Sequence, residues 1–341
     1  MSTSVYRKPQ AVVRNVGNKS LSGAGEIRIP LNKDHLTAEH QVAVSFSQSF
    51  TTAPTAMGDL APVIRNVSLQ TDKGTLVNAD GLSIVNLSAL TEQQPSQRKT
   101  VGTTSTGMLV FDLHHENDGA LQDLLSALES GEFSGLDLVL DLADPFAVGV
   151  YTGGAGASGL TFTVRVNART YPDLTGVGKL DAFQTVDPET GEAIETPNEY
   201  AGIGSALHHV ATQVMTGTTS GDQQPVRLQA KGALLRFLQL ATLDTTGANP
   251  VPSDAIIDEV RLVVGGTQVF QGTFHEIQAE NEAKRAVSRL NSGIAAIDYG
   301  DDEVGFLDIA ENNEALLYIR VAAGAPASWE IRLTEDFTTE A

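Results

Sequence analysis

Cysteine is absent from the 341 residues, so the chain can form no disulfide, hold no thiolate-bound metal and run no thiol chemistry. That absence fits assembly in a reducing cytoplasm. No run of about 18 apolar residues occurs, so no membrane-spanning helix is encoded. The opening MSTSVYRKPQ lacks the apolar core of a signal peptide, and Sec-type secretion is not expected. Aromatic residues are few. One tryptophan and six tyrosines provide little of the ring surface on which sugar sites are built. Bases are also scarce, 22 Lys and Arg against 42 Asp and Glu, for a formal net charge of −20. A surface of that sign repels phosphate backbones and argues against nucleic-acid binding over a broad face.

What charge of the opposite sign exists is concentrated at the start. Residues 1–20 carry Arg7, Lys8, Arg14 and Lys19 and no acid, the first acid being Glu26. This reads as a basic N-terminal arm, extended because Pro9 and the glycine and asparagine nearby break a helix, and suited to an anionic lipid surface.

Hydrophobic residues make up 41% of the chain, enough for a substantial core. Most of them fall in short apolar or alternating runs bounded by Gly, Asn, Asp and Thr, which is the signature of β-strands. "GEIRIPL", "HQVAVSFSQSF", "VIRNVSLQ", "LDLVLDL", "LTFTVRV", "EVRLVV", "ALLYIRVA" and "SWEIRLT" are examples. "GALLRFLQLATLD" could present a helical face through Leu234, Leu235 and Leu238, and its context favours a strand. Two helices are expected. Leu121, Leu124, Leu125 and Leu128 repeat at i, i+3, i+4, i+7 behind Asp118. In "TFHEIQAENEAKRAVSRLN", Thr273 and Glu276 have the spacing of a capping box. Its apolar stripe, Phe274, Ile277, Val287 and Leu290, is too sparse for a core, so this helix is expected on a surface.

The chain divides as residues 1–20, the arm; 21–172; a linker at 173–200; and 201–341. The linker is rich in acids, with six between Asp181 and Tyr200 and no base. Across it an internal duplication is visible. Val67-x-Leu69 leads to Gly74-x-x-Val77, as Val260-x-Leu262 leads to Gly266-x-x-Val269. Upstream, "IRIPL" and "HQVAVSFSQSF" match "VRLQ" and "ALLRFLQLATLD". Downstream, Phe111-Asp112-Leu113 matches Leu307-Asp308-Ile309, and Val164-Arg165-Val166 matches Ile331-Arg332-Leu333. Each half has the size of a β-sandwich, jelly roll or barrel.

Motifs for chemistry fail on context. "GAGASG", Gly154–Gly159, fits G-x-G-x-x-G but leads into a strand rather than a helix, so it reads as a flexible loop. His114-His115 and His208-His209 are neighbours that point to opposite faces of a strand and cannot chelate together. "DYGDDE", Asp298–Glu303, has the composition of a calcium loop without EF-hand spacing and reads as a solvated turn. No catalytic, cofactor-binding or metal-ligating residue is expected, and the chain is not expected to be an enzyme.

The duplicated order, above all "GALLRFLQLATLDTTG" followed by "IIDEVRLVVGGTQVFQGTFHEIQAENEAKR", resembles the double jelly-roll major capsid proteins of tailless icosahedral phages with an internal membrane, the lineage that includes adenovirus. Val260, Leu262, Gly266 and Val269 carry the resemblance, with Gly265 where asparagine is usual. It spans most of residues 21–337. It implies an all-β chain of two tandem eight-stranded jelly rolls with short helices in loops. It further implies a homotrimer of pseudo-hexagonal outline that packs with neighbouring capsomers, penton and minor capsid proteins into a virion shell. On that reading Arg7, Lys8, Arg14 and Lys19 face the inner membrane. The helix begun by Thr273 is a contact between subunits through His275, Glu276, Glu280, Lys284 and Arg285. The competing reading is a phage spike, receptor-binding or carbohydrate-binding jelly-roll protein, for which no aromatic cleft with paired carboxylates is visible.

Overall fold

The computed structural model describes residues 10–92, 97–101, 103–114, 127–180, 182–186, 193–197, 201–230, 233–247, 250–285, 292–299, 307–309 and 314–340. Side-chain alternation sets the strands. In Leu36–Ser49, Val42, Val44 and Phe46 are buried while Gln41, Ala43, Ser45 and Ser47 are half-exposed. The first half runs β1 (Val12–Ser22), β2 (Gly25–Pro30), β3 (Leu36–Ser49), β4 (Ile64–Thr71) and β5 (Gly74–Ala79). It continues with α1 (Gly81–Glu92), β6 (Thr104–His114), β7 (Leu136–Leu142) and β8 (Ser158–Tyr171). One sheet has the order β1-β8-β3-β6, with the additional short strand Gln97–Val101 on the outer side of β6, the other β2-β7-β4-β5. All these pairings are antiparallel.

The second half repeats the plan. It contains β9 (Ala206–Gly217), β10 (broken into Gly221–Asp222 and Val226–Arg227), β11 (Leu234–Asp244), β12 (Ile257–Val264) and β13 (Thr267–Thr273). Then come α2 (Phe274–Arg285), β14 (Ile294–Asp298), β15 (Ala315–Val321) and β16 (Trp329–Glu340). The sheet orders are β9-β16-β11-β14 and β10-β15-β12-β13. Each half is therefore a pair of four-stranded sheets with jelly-roll crossovers. The hairpin β12–β13 turns on Gly265 and Gly266, at φ 56° and 81°, where any other residue would be strained.

The duplication holds with two corrections. Leu262 faces Phe270 as Leu69 faces Val77, so Phe270 rather than Val269 is the counterpart of Val77. Leu307-Asp308 is a short strand on Leu234-Leu235, which makes it the counterpart of Leu128-Glu129 on Leu36-Thr37. The true partner of β6 is β14, since each follows a helix and pairs with the long third strand of its roll. An aspartate between two apolar residues is too short a pattern to fix that register.

Other expectations change as well. The described part of the arm is a strand, β1 pairing with β8 from Val12 to Ser22. Its outward face lacks apolar alternation because it is an edge, so the sequence signal was weak. The acidic connection contains an antiparallel hairpin of Ala182–Val186 with Ala193–Pro197. The chain on both sides of it is tied to the first roll, with Leu174 near its start and Ile203 just past its end packed on Leu36, Ala38, Ala127 and Tyr171. The glycine-rich loop is held rather than loose: Tyr151-Thr152 pairs with Ala56-Met57, and the Thr51 hydroxyl donates to Ala155 O at 2.7 Å. The leucine-repeat helix lies largely outside the described residues, and its last leucine, Leu128, is in a strand. In its place α1 appears, capped by Asp80, whose carboxylate accepts from Ser83 N at 2.9 Å. Gly81 starts it so close to the chain that an added Cβ would lie 2.3 Å from Ala61 O.

The rolls share one sheet. β5 of the first pairs with β9 of the second in parallel, Val77 opposite Val210 and Asn78 opposite Ala211. The first core consequently extends over the second roll, taking in Val210, Phe237, Ala241, Leu243, Ile294 and Ala296. β11 is buried on both faces, Leu238 and Leu240 pointing into the second core. Burial on both faces explains why apolar residues stand at consecutive positions, as in Phe237-Leu238 and Leu240-Ala241, instead of alternating.

Candidate functional site

The junction between the rolls is a dense polar and apolar seam. α1 lies in it with Leu82, Ser83, Ile84, Asn86, Leu87 and Ser88 all buried. The buried Gln239 of β11 donates its amide to Ser83 O at 3.2 Å. Arg332 of β16 reaches back to Asp80 at 2.9 Å and to Glu330 at 2.5 Å. Burial alone would lower the pKa of this guanidinium, but the two carboxylates more than offset that and raise it, so Arg332 stays charged. Deeper in the seam, His208 and Asp336 form a hydrogen-bonded pair at 5% and 4% exposure. They line a small cavity with Ser88, Asp112 and Arg236. His209 points the other way, stacked on Phe337 at 5.2 Å with an interplanar angle of 15°.

An open groove of about 720 Å³ crosses the same seam, bounded by Arg65, Leu82 and Val148 on one side and Leu243, Val251 and Arg332 on the other. Among the described residues no cluster of three His, Asp or Glu side chains is arranged to hold a metal ion. Asp298 of the acidic "DYGDDE" run ends β14, and Gly300–Glu303 fall outside the described residues.

The residues singled out from sequence are dispersed. Arg7 and Lys8 fall outside the described residues. Arg14 and Lys19 are exposed on β1, Arg14 bonded to His35 at 2.7 Å and Lys19 donating to Arg28 O at 3.1 Å. α2 is docked on its own roll more firmly than its sparse stripe suggested. Phe274 and Ile277 enter the second core, and buried Asn281 exchanges two hydrogen bonds with the backbone of Ala296, at 2.6 and 2.8 Å. One face of three residues suffices because the asparagine satisfies a strand edge, a signal that a count of apolar residues misses.

The capping box forms. The carboxylate of Glu276 accepts from the backbone N–H and the hydroxyl of Thr273, at 2.8 and 2.9 Å, which holds its pKa below the usual carboxylate range. Glu276 thus closes the start of the helix, while His275, Glu280 and Glu282 are exposed. Lys284 and Arg285 occupy its last turn.

The outer strands β1 and β13 end their sheets. Apolar side chains are exposed on both, Val12 at 37% and Val13 at 70% on the first and Val269 at 39% on the second.

No family model matches the chain, and no curated protein matches its sequence. Solved structures do match over nearly the whole length. STIV MCP, from Sulfolobus turreted icosahedral virus, is 13% identical with 96% of each chain covered and a TM-score of 0.68. The capsid of PBCV-1 is 10% identical, with 99% of this chain and 96% of that one covered, at 0.59. The major capsid protein P2 of bacteriophage PM2 is 12% identical, covering 96% and 98%, at 0.53. The chain has the double jelly-roll fold. In this double jelly roll the likeness lies in the path of the chain, since about one residue in eight is shared with STIV MCP.

Proposed function

We propose that the chain is a major capsid protein, a structural subunit whose copies associate as homotrimeric, pseudo-hexagonal capsomers and pack with their neighbours into an icosahedral virion shell over an internal membrane. The parallel pairing of β5 with β9 carries this reading. It sets two like barrels side by side in the same sense, which is the shape needed for three chains to fill six similar places in a ring. The apolar edges, the polar seam and the likeness to the capsid proteins of three viruses support it.

The role is mechanical, and no side chain is assigned to catalysis. Mass measurement of the purified protein tests it: a species of about three times 36.0 kDa is expected. A monomer at assembly concentrations, or one that binds oligosaccharides, would overturn the reading in favour of a receptor-binding module.

The membrane contact rests on the residues ahead of β1. Arg7 and Lys8 precede the described residues, and Arg14 and Lys19 are carried exposed on β1. Removing residues 1–10 is expected to abolish cosedimentation with vesicles rich in anionic lipid and to leave the melting temperature unchanged. Unaltered cosedimentation would dismiss the lipid contact.

A further inference from the structure

Within the chain, the fifth strand of the first roll pairs in parallel with the first strand of the second. The second roll also has a fifth strand, β13, with nothing on its far side among the described residues, and the first roll has a first strand, β1, with a free edge of its own. We propose that β13 and α2 of one copy dock on β1 of a second copy, in the register that β5 and α1 hold against β9. The inference rests on the trimeric reading above and specifies its interface.

The internal duplication gives the register. Arg169 and Ala168 of β8 stand where Asp336 and Glu335 stand in β16, by the alignment of Val164-Arg165-Val166 on Ile331-Arg332-Leu333. Across the sheet, Val13 and Arg14 pair with the first two, as Val210 and Ala211 pair with the second two. Val13 therefore occupies the place of Val210, and Arg14 that of Ala211. On the other edge, Phe270 faces Leu262 and Gln271 faces Arg261, as Val77 faces Leu69 and Asn78 faces Ser68. The new contact sets Phe270 opposite Val13 and Gln271 opposite Arg14.

Burial separates the junction already made from the one still open. Val77 and Val210 are 1% and 3% exposed, while Val13, the equivalent of Val210, is 70% exposed. Phe270 is only partly buried and lies against the second core. Val13 of a neighbour would extend that core, as Val210 extends the first.

The helices correspond too. Gln41 takes the place of Gln239, each paired with the matching residue of its neighbouring strand, Asn167 or Thr334. Glu276 holds the place of Ser83 in the first turn. Gln41, half-exposed in the single chain, then meets the first turn of α2 as Gln239 meets that of α1.

Charge fits the same direction. α2 offers exposed Glu276, Glu280 and Glu282, and the outward face of β8, on the side that carries Val13 and Gln41, offers exposed Arg165. A contact between two different edges of identical chains is head-to-tail, and such contacts close into rings.

The absence of native cysteine makes a clean test. A protein carrying both Arg14→Cys and Gln271→Cys, two exposed positions, is expected on mild oxidation to give covalent dimers and trimers on a non-reducing gel. Opposed strand residues lie within disulfide reach. Arg14→Cys combined with Gln223→Cys, at the far edge of the second roll, is expected to give none. In parallel, Val13→Asp should weaken association at least tenfold, read as the trimer fraction against concentration, with the far-ultraviolet circular dichroism spectrum unchanged. A trimer by mass that shows no cross-link, or cross-links equally through the control pair, overturns this interface and leaves the capsid reading standing. A monomer by mass overturns both.

Discussion

Replacing Asp336 with alanine is expected to lower unfolding stability by about 1–3 kcal/mol, the cost of leaving a buried hydrogen-bonding group without its partner. Asp336 and His208 are 4% and 5% exposed in the seam between the rolls. Water has little access to replace the lost carboxylate. His208, in the small cavity it shares with Ser88, Asp112 and Arg236, would keep its desolvation cost with one fewer partner. The double variant His208→Leu and Asp336→Leu is expected to lose clearly less than Asp336→Ala, because it removes both polar groups and fills the space. Urea unfolding followed by Trp329, the only tryptophan and a residue of the same strand, reads both variants. A single variant as stable as the parent would show that the pair is not a structural element of the seam.

Acidification from pH 7 to 4 is expected to destabilise the first roll by about 3 kcal/mol through His40 alone. This histidine is 1% exposed inside β3, and burial pushes its pKa down to about 4. In the unfolded chain it would titrate near 6.5. Between those values the unfolded chain binds the additional proton, so stability increases with pH across this window. The contribution is complete above about 6.5, declines as pH falls towards 4 and is level below. At about 1.4 kcal/mol per pH unit, the gap amounts to the stated loss. Carboxylates titrate at the lower end of the same window, so the informative quantity is the difference from His40→Leu. Calorimetry should show a shallower fall for the variant between pH 6.5 and 4, and parallel curves would refute the assignment.

Fold class was legible in the sequence because the two cues that define it are local. Alternation marked β3, β7, β8 and β15, and the pair Gly265-Gly266 marked a hairpin whose geometry needs positive φ twice. The capping box at Thr273 and Glu276 was equally local, and it forms as the spacing suggested. What failed depended on tertiary surroundings. α1 escaped notice because a helix packed between two rolls is apolar on most sides and shows no 3.6-residue stripe. Its buried residues run almost unbroken from Gly81 to Ser88. β1 looked like an arm because an edge strand with one covered face needs few apolar residues, and Val16 is the only fully buried side chain in it.

The seam was hidden for a different reason. His208, Arg332, Gln239 and Asp80 are far apart in sequence, and nothing local announces that they meet. His208 and His209 point to opposite faces of β9, as neighbours on a strand must. That one of them would lie against Asp336 follows only from the pairing of β9 with β16.

In each roll the strand made last lies inside its sheet. β8 slots between β1 and β3, and β16 between β9 and β11. A nascent first roll therefore cannot set β1 in place until Ser158–Tyr171 has been synthesised, because β8 is its sheet partner. The second roll waits in the same way for Trp329–Glu340. Such late, long-range closure is slow, and it exposes unpaired strands that invite aggregation while it lasts. It also sets an order of events. The outer edges reach their final positions only in finished rolls, so a partly made chain has no correctly placed edge to offer a neighbour.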